Sequence, residues 1–387
     1  MVSEDELKEA RRKLQSLELD VRRYILSPVR ALVLSPSIAD PAHRRKLREL
    51  TGLGWSIVAA TPGGTAGEER GIRLAPIPVS GSADPDAGAL RWSGRAIRRL
   101  LTDTRPDLVA IEAEPTTQAA DVTSREAARL GIPSVVFSAQ SLPFQRSILA
   151  NRRYQHTLSR AGGVAGINSL ATALLRAAAP GVPAAVLSAV GVVPPTPPQR
   201  EPHDGLRMAY VGRLVHERGA ESLLRVCGQL MGSWTLRIAG TGPEQEALEE
   251  LAQRLGLASR IRWLGVLSRS QVAALWSEVD CLVVPSRATP TWVDGWSEVM
   301  LDAMGHEVAV VASRTGALPE IIGDAGIGYD NEEDFLVRLQ ELVTDTPRIL
   351  PIGQAGRRRV LEYYVDAAVA RATDVFWREV LGARRLQ

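Results

Sequence analysis

Cysteine is almost absent from this chain. Cys227 and Cys281 are the only two among 387 residues, too few for a disulfide framework or a cysteine metal site, and both sit in apolar surroundings, as expected of a reducing compartment. Long apolar runs are missing as well, so no segment reads as a membrane span. The N-terminal stretch SEDELKEARRKLQSLELDVRRYIL has the pattern of a charged amphipathic helix and lacks the continuous apolar stretch of a signal peptide. Lysine is scarce, 3 residues against 43 arginines, a bias that reflects base composition of a bacterial genome more than function. The arginines are interleaved with acids, and no ladder of aromatics accompanies them, which argues against a surface for stacking nucleic-acid bases. A cytoplasmic protein is expected.

What the chain does have is enough apolar material for two cores, with 45% hydrophobic and 23% charged residues. Net charge is only +2, yet residues 1–200 carry 26 basic against 18 acidic side chains and residues 201–387 carry 20 against 26. A basic first half suits an anionic partner: a phosphorylated substrate, or the inner face of a membrane touched peripherally.

Short β-rich runs alternate with amphipathic helical stretches throughout, the signature of parallel α/β units. The first set comprises RALVLS (30–35), WSIVAAT (55–61), LVAIEA (108–113), PSVVFS (133–138) and GVAGIN (163–168). The proline-rich GVVPPTPPQREPH (191–203) reads as a linker, and the pattern then restarts with LRMAYVG, WTLRIAG, RIRWLG, CLVVPS and VAVVAS. Two doubly wound domains are expected, over 1–195 and 204–365, with ligands held in the cleft at the carboxyl ends of their strands. The last stretch, about 366–387, is a helix expected to pack back on the first domain.

Three places carry candidate chemistry. In VGRLVHERGAESLL a strand ends at Gly212, and Arg213 and Arg218 lie beside a helix start, a receptor for a diphosphate or simply two arginines on a wet loop. In IAGTGPEQEALEEL, Gly240 and Gly242 make a tight turn first and a cleft lining second. In TWVDGWSEVMLDAMG, a helix starting near Ser297 puts Asp294 in the loop before it and Asp302 one to two turns in, so that both acids face one cleft. Carboxylates accept hydrogen bonds from vicinal hydroxyls, and the N–H groups of Trp296, Ser297 and Glu298, beside Gly295, suit an anion. The plainer reading is an acid favoured at a helix start plus a solvated one.

VGRLVHERG, IAGTGPEQEAL, RIRWLG, CLVVPSRATPTW, EVMLDAMGHEVAVVAS and TGALPEIIGDAGIGY resemble, in order and spacing over about 207–365, the nucleotide-binding domain of family 4 glycosyltransferases of the GT-B fold. The resemblance implies two Rossmann-like domains, a nucleotide-sugar donor, UDP- or GDP-linked, and an acceptor held by the first domain. It further implies transfer with retention of configuration and no metal or cofactor. By the same resemblance Gly212, Arg213 and Arg218 meet the donor diphosphate, backbone at Trp263 and Leu264 meets the nucleobase, Asp294 the sugar and Asp302 the ribose. Arg218 stands where the family has lysine, and both aspartates stand where it has glutamate.

Further departures bear on the first domain. Its glycine-rich loop is replaced by SPSIADPAHRRKL, which offers Arg44, Arg45 and Lys46 to phosphate or acceptor. Its histidine near the fourth strand is missing, and Glu112, Glu114, Ser138 and Gln140 are the candidates on the acceptor side. His306 reads as a surface residue complementing a helix end. The sequence DPD at 84–86 mimics a metal motif but lies in a turn. A catalytically degenerate protein that binds a nucleotide sugar or a partner without transfer is the alternative.

Overall fold

The computed structural model describes residues 28–81, 90–143, 146–193, 195–197 and 203–385. The N-terminal amphipathic stretch, the DPD turn and part of the proline-rich linker lie outside the described residues. Sixteen strands follow one another among those described: β1 Val29–Leu34, β2 Trp55–Pro62, β3 Gly67–Glu69, β4 Ile72–Ile77, β5 Val79–Ser80, β6 Arg91–Trp92, β7 Leu108–Ile111, β8 Ser134–Ser138, β9 Gly163–Gly166 and β10 Ala184–Val186, then β11 Leu206–Val211, β12 Trp234–Ala239, β13 Ile261–Gly265, β14 Cys281–Val284, β15 Ala309–Ser313 and β16 Ile327–Tyr329.

They form two large sheets, ordered β10-β9-β8-β7-β1-β2-β4-β3 and β13-β12-β11-β14-β15-β16, with β5 and β6 paired as a separate ribbon. Every neighbour in the second sheet is parallel, and in the first only β3 runs antiparallel, against β4. Parallel strands are buried on both faces by their crossover helices, so they read as near-continuous apolar runs rather than alternating ones. That is the pattern of ALVL, VAI, LVV and AVVAS, whose residues are almost wholly buried. Strands β3 to β6, β10 and β16 do not stand out in sequence: β3 is polar, β4 is interrupted by proline, and β5, β6, β10 and β16 are only two or three residues long.

The last stretch forms helix Asp366–Arg385, and a break separates it from the preceding helix Ile349–Tyr363. The break falls where Val365 forms a bridge with Val192 and Asp366 lies so close to Gly191 that a Cβ there would meet Asp366 N at 2.3 Å. Beyond it the last helix turns back onto helix Arg45–Gly52, with Trp377 edge-on to Trp55 at 5.1 Å and Trp55 Nε1 donating to Asp374 at 2.7 Å. Arg45, offered by the sequence to phosphate, is spent on this seam through a bond to Asp366 at 2.8 Å. Arg44 is tied to Glu69, and the buried Lys46 to Glu112. None of the three is left for an anion, because each anchors the helix that replaces the glycine-rich loop.

Trp377 is 2% exposed, and truncating a buried tryptophan leaves a large cavity. Trp377→Ala is expected to destabilise the protein by ~3–5 kcal/mol in urea unfolding, with Trp377→Phe recovering most of the loss.

Candidate functional site

The carboxyl ends of β11, β12 and β14 converge on the segment that carries Asp294. Gly219 adopts φ +70°, and a Cβ there would fall 1.8 Å from the carbonyl oxygen of Pro285. A glycine at this point lets the Arg218 turn approach the end of β14. Gly240 and Gly242 do the same against the Gly212–Leu214 turn, with would-be Cβ contacts of 1.9 Å to Gly212 O and 2.2 Å to Leu214 O. Their role as turn formers is thereby accounted for.

Asp294 is 2% exposed. Its Oδ2 accepts from Arg218 Nη1 at 2.6 Å and from Ser286 Oγ at 2.8 Å. Its carbonyl accepts from Ala317 N at 2.7 Å, and Gly316 packs directly against it. Burial pushes this carboxyl above the ordinary aspartate value, and the Arg218 charge and Ser286 hydroxyl pull it back. The Arg218 guanidinium also lies 5.1 Å from the Trp292 ring centre. Arg213, by contrast, is exposed, with no ion pair among the described residues, while its carbonyl accepts from Tyr210 Oη at 2.8 Å.

The helix after this loop spans Glu298–Gly305, with Ser297 as its N-cap. Ser297 makes no capping bond, and its Oγ is buried with no hydrogen-bond partner among the described residues. A buried hydroxyl without a partner is a costly arrangement in a helix start that already has free N–H groups. The Glu298 side chain stays exposed, 3.9 Å from Arg269.

Asp302 sits one turn further on, and its Oδ2 accepts from the buried indole N–H of Trp276 at 2.7 Å. The two aspartates do not meet: one is inserted beneath Arg218 and the other is braced by Trp276, and its side chain remains 39% exposed. His306 is not on the surface. It is 8% exposed and its Nδ1 bonds the Asp302 carbonyl at 2.8 Å, because the chain turns inward after Gly305. Trp263 and Leu264 lie on β13, half-buried against the core of this sheet.

On the opposite sheet, Glu114 accepts from Ser138 Oγ and from Ala139 N, each at 2.7 Å. Gln140 N donates to Ser138 Oγ at 3.1 Å, so three of the four acceptor-side candidates form one cluster. Glu112 is separate, paired with Lys46. Burial raises the Glu114 carboxyl above 4.5, opposed by the Ser138 hydroxyl, the Ala139 N–H and the Arg146 charge. The two sheets touch where Asn168 Nδ2 donates to Gly295 O at 2.6 Å and to Ser141 Oγ at 2.7 Å. Ser286, Trp276 and Asn168 escape sequence reading, since each is an ordinary residue whose role comes from a partner that no local pattern marks, 8, 26 and 127 residues away respectively.

Two outcomes follow. Ser297→Ala removes a buried, unpaired hydroxyl, so the ligand-free protein is expected to be as stable as the parent or more so, by up to about 1–3 kcal/mol, in thermal unfolding. Because the Glu114 pKa is higher folded than unfolded, the folded state holds its proton more readily, and the contribution is present at pH below the ordinary glutamate value and lost as pH rises through the raised, folded one. Urea unfolding should show the parent losing stability relative to Glu114→Gln as pH rises across that interval.

Residues 205–345 match the family described as glycosyl transferases group 1. The D-inositol 3-phosphate glycosyltransferase of Corynebacterium aurimucosum is 24% identical over 182 residues, which cover 44% of this chain and 42% of that protein. The alpha-maltose-1-phosphate synthase of Mycolicibacterium smegmatis is 29% identical over 189 residues, 45% of this chain and 48% of that protein. The chain thus spans less than half the length of these relatives. Among solved structures, sucrose-phosphate synthase of Thermosynechococcus elongatus superposes with a TM-score of 0.65 at 17% identity, covering 92% of this chain and all of that one. HepE of Anabaena, solved with UDP and glucose, gives 0.60 at 14% identity over 91% of this chain. With two parallel α/β sheets meeting at Gly295 and a last helix returning to the first, the protein has the GT-B fold and resembles family 4 glycosyltransferases, glycosyl transferases group 1.

Proposed function

We propose that the protein transfers a sugar from a nucleotide diphosphate donor to an acceptor held by the first half of the chain, with retention of configuration. The observation that carries this reading is Arg218 held on the buried Asp294 carboxylate just before helix Glu298–Gly305, with Gly212 and Arg213 following β11. An exposed arginine, a second arginine held at 2.6 Å by a buried carboxylate, free helix N–H groups and an unpartnered Ser297 hydroxyl make a receptor for a diphosphate. Asp302, with Oδ2 on Trp276 and Oδ1 3.5 Å from His306 Nδ1, presents a partly exposed carboxylate to a ribose hydroxyl. The nucleobase, uracil or guanine, then lies along Trp263 and Leu264.

The leaving diphosphate gains negative charge as the bond to the sugar breaks. Groups aimed at that charge stabilise the transition state more than the bound donor. In this reading Arg213 and Arg218 supply the stabilisation, without a metal ion. Asp294 is the positioning residue: its buried carboxylate fixes the Arg218 fork, and Trp292 limits the rotation of the same guanidinium. The basic first half can meet a phosphorylated acceptor or an anionic membrane surface. Among the described residues no helix is long and apolar enough to cross a membrane.

A second reading, binding without transfer, draws on one observation: Asp294 is already engaged by Arg218 and Ser286, and is shorter than the glutamate it replaces. Thermal shifts against UDP, GDP and their sugar conjugates decide whether there is a donor, since a ligand at a hundred times its Kd adds about 2.7 kcal/mol of stability. Arg218→Lys, which keeps a partner for Asp294, is then expected to fold normally. Arg218→Ala should lower turnover by about a hundredfold, roughly 3 kcal/mol, with a smaller loss of donor binding. Donor binding without transfer to any acceptor favours the second reading, and no shift with any nucleotide removes transfer and leaves partner binding alone.

A further inference from the structure

Behind the Asp294 loop lies a cavity of ≈ 230 Å³ that none of the candidate acceptor residues lines. Its walls come from three parts of the chain. Asn168 and Ser188 stand just beyond the carboxyl ends of β9 and β10, Trp296 and Glu320 belong to the second half, and Tyr364 and Ala372 flank the break between the two terminal helices. The carboxyl ends of parallel strands are where open α/β sheets hold ligands. One wall is continuous with the donor loop, because Trp296 is two residues from Asp294 and Ala317, also in the lining, donates to the Asp294 carbonyl.

The size and chemistry of the cavity restrict its occupant. Drug-sized ligands fill pockets of roughly 300–1,000 Å³, so this one admits a single ring rather than a nucleotide. Two aromatic rings, Trp296 and Tyr364, meet at 5.9 Å and 64° and offer flat apolar surface. The polar groups are hydrogen-bonding but balanced in charge: Glu320 faces the same space as Arg359. Glu320 places Oε2 on Ser169 N at 2.8 Å and on its hydroxyl, leaving Oε1 without a hydrogen bond among the described residues. Ser188 Oγ donates to Val190 O at 2.5 Å and keeps its lone pairs as acceptors. Aromatic surface on one side and hydrogen-bond acceptors on the other suit a neutral polyhydroxylated ring, whose C–H face is apolar and whose hydroxyls donate.

We infer that the cavity between Ser188, Trp296, Glu320 and Tyr364 seats a sugar or cyclic polyol ring of the acceptor, displaced toward β9 and β10 from the Glu112 and Glu114 side. This rests on the transfer reading above, and it names the substrate class that the reading leaves open.

The test uses the full chain and ligand-observed NMR saturation transfer with methyl glucopyranoside and myo-inositol as ring probes, sorbitol as an open-chain counterpart, and UDP and GDP in parallel samples. Two variants fill the cavity from different walls: Ala372→Phe, on an exposed helical position, and Ser188→Phe. The expected result is ring-probe contact with the parent, weaker contact for sorbitol, and a loss of about tenfold or more in ring affinity for both variants, with nucleotide binding retained. Ring contact that survives in both variants, or none in a parent that still binds nucleotide, overturns the inference and leaves the transfer reading in place. A parent that binds neither UDP nor GDP removes the transfer reading itself. If filling the cavity weakens a nucleotide sugar but not the bare nucleotide, the ring is the donor's and the acceptor assignment falls.

Discussion

The carboxylate of Asp294 is nearly inaccessible to water, and much of the second half is arranged so that it can be there. An ionised group in such a place is tolerated only when charge and hydrogen bonds replace its hydration. Arg218 and Ser286 supply them from the segments that follow β11 and β14, two neighbouring strands of one sheet. The loop that delivers the acid is pinned by its own backbone, since Ala317 donates to the Asp294 carbonyl and Gly316 leaves no room for a side chain beside it. Loss of either partner would leave a buried charge uncompensated, and for that reason the arginine, serine and glycines act as one unit rather than as separate contributors.

The same loop connects this charge to the other half of the molecule. Gly295 offers its carbonyl to Asn168 and its bare Cα to Ser141, and Glu320, just past Ala317, accepts from Ser169. Two short polar contacts therefore join the sheets within a few residues of the buried acid. A movement of one half against the other would be felt at Arg218. The joint at Asp366 is braced separately, by Arg45 and by the close approach of Gly191. Polar contacts at the cleft and tight backbone packing at the joint place the weaker connection where a ligand would enter.

Much of the fold was legible because parallel strands announce themselves: ALVL, VAI, LVV and AVVAS are short, branched and apolar, and amphipathic helices separate them. Blocks such as VGRLVHERG and EVMLDAMG located the Arg218 turn and the Asp294 loop together, and the helix start at Ser297 was readable from the order of polar and apolar residues. Less legible was the state of each side chain. Arg44, Arg45 and Lys46 read as a basic cluster open to phosphate, and each proved to be spent on an acid from 25 residues or more away, on β3, after β7 or in the last helix. His306 read as a surface residue and is buried, because helix polarity says nothing about which way the following turn folds.

By itself the sequence determined the two α/β sheets, the position of the acidic loop before a helix, and the arginines beside a glycine turn, since these depend on periodicity and local backbone preference, which act over a few residues. Only the tertiary structure decided that Asp294 lies beneath Arg218, that Trp276 holds Asp302, that Glu114 joins Ser138 while Glu112 goes to Lys46, and that a cavity opens behind Trp296. Those outcomes depend on desolvation and on pairs brought together by crossovers of tens to hundreds of residues. A pattern read along the chain carries no distance across it.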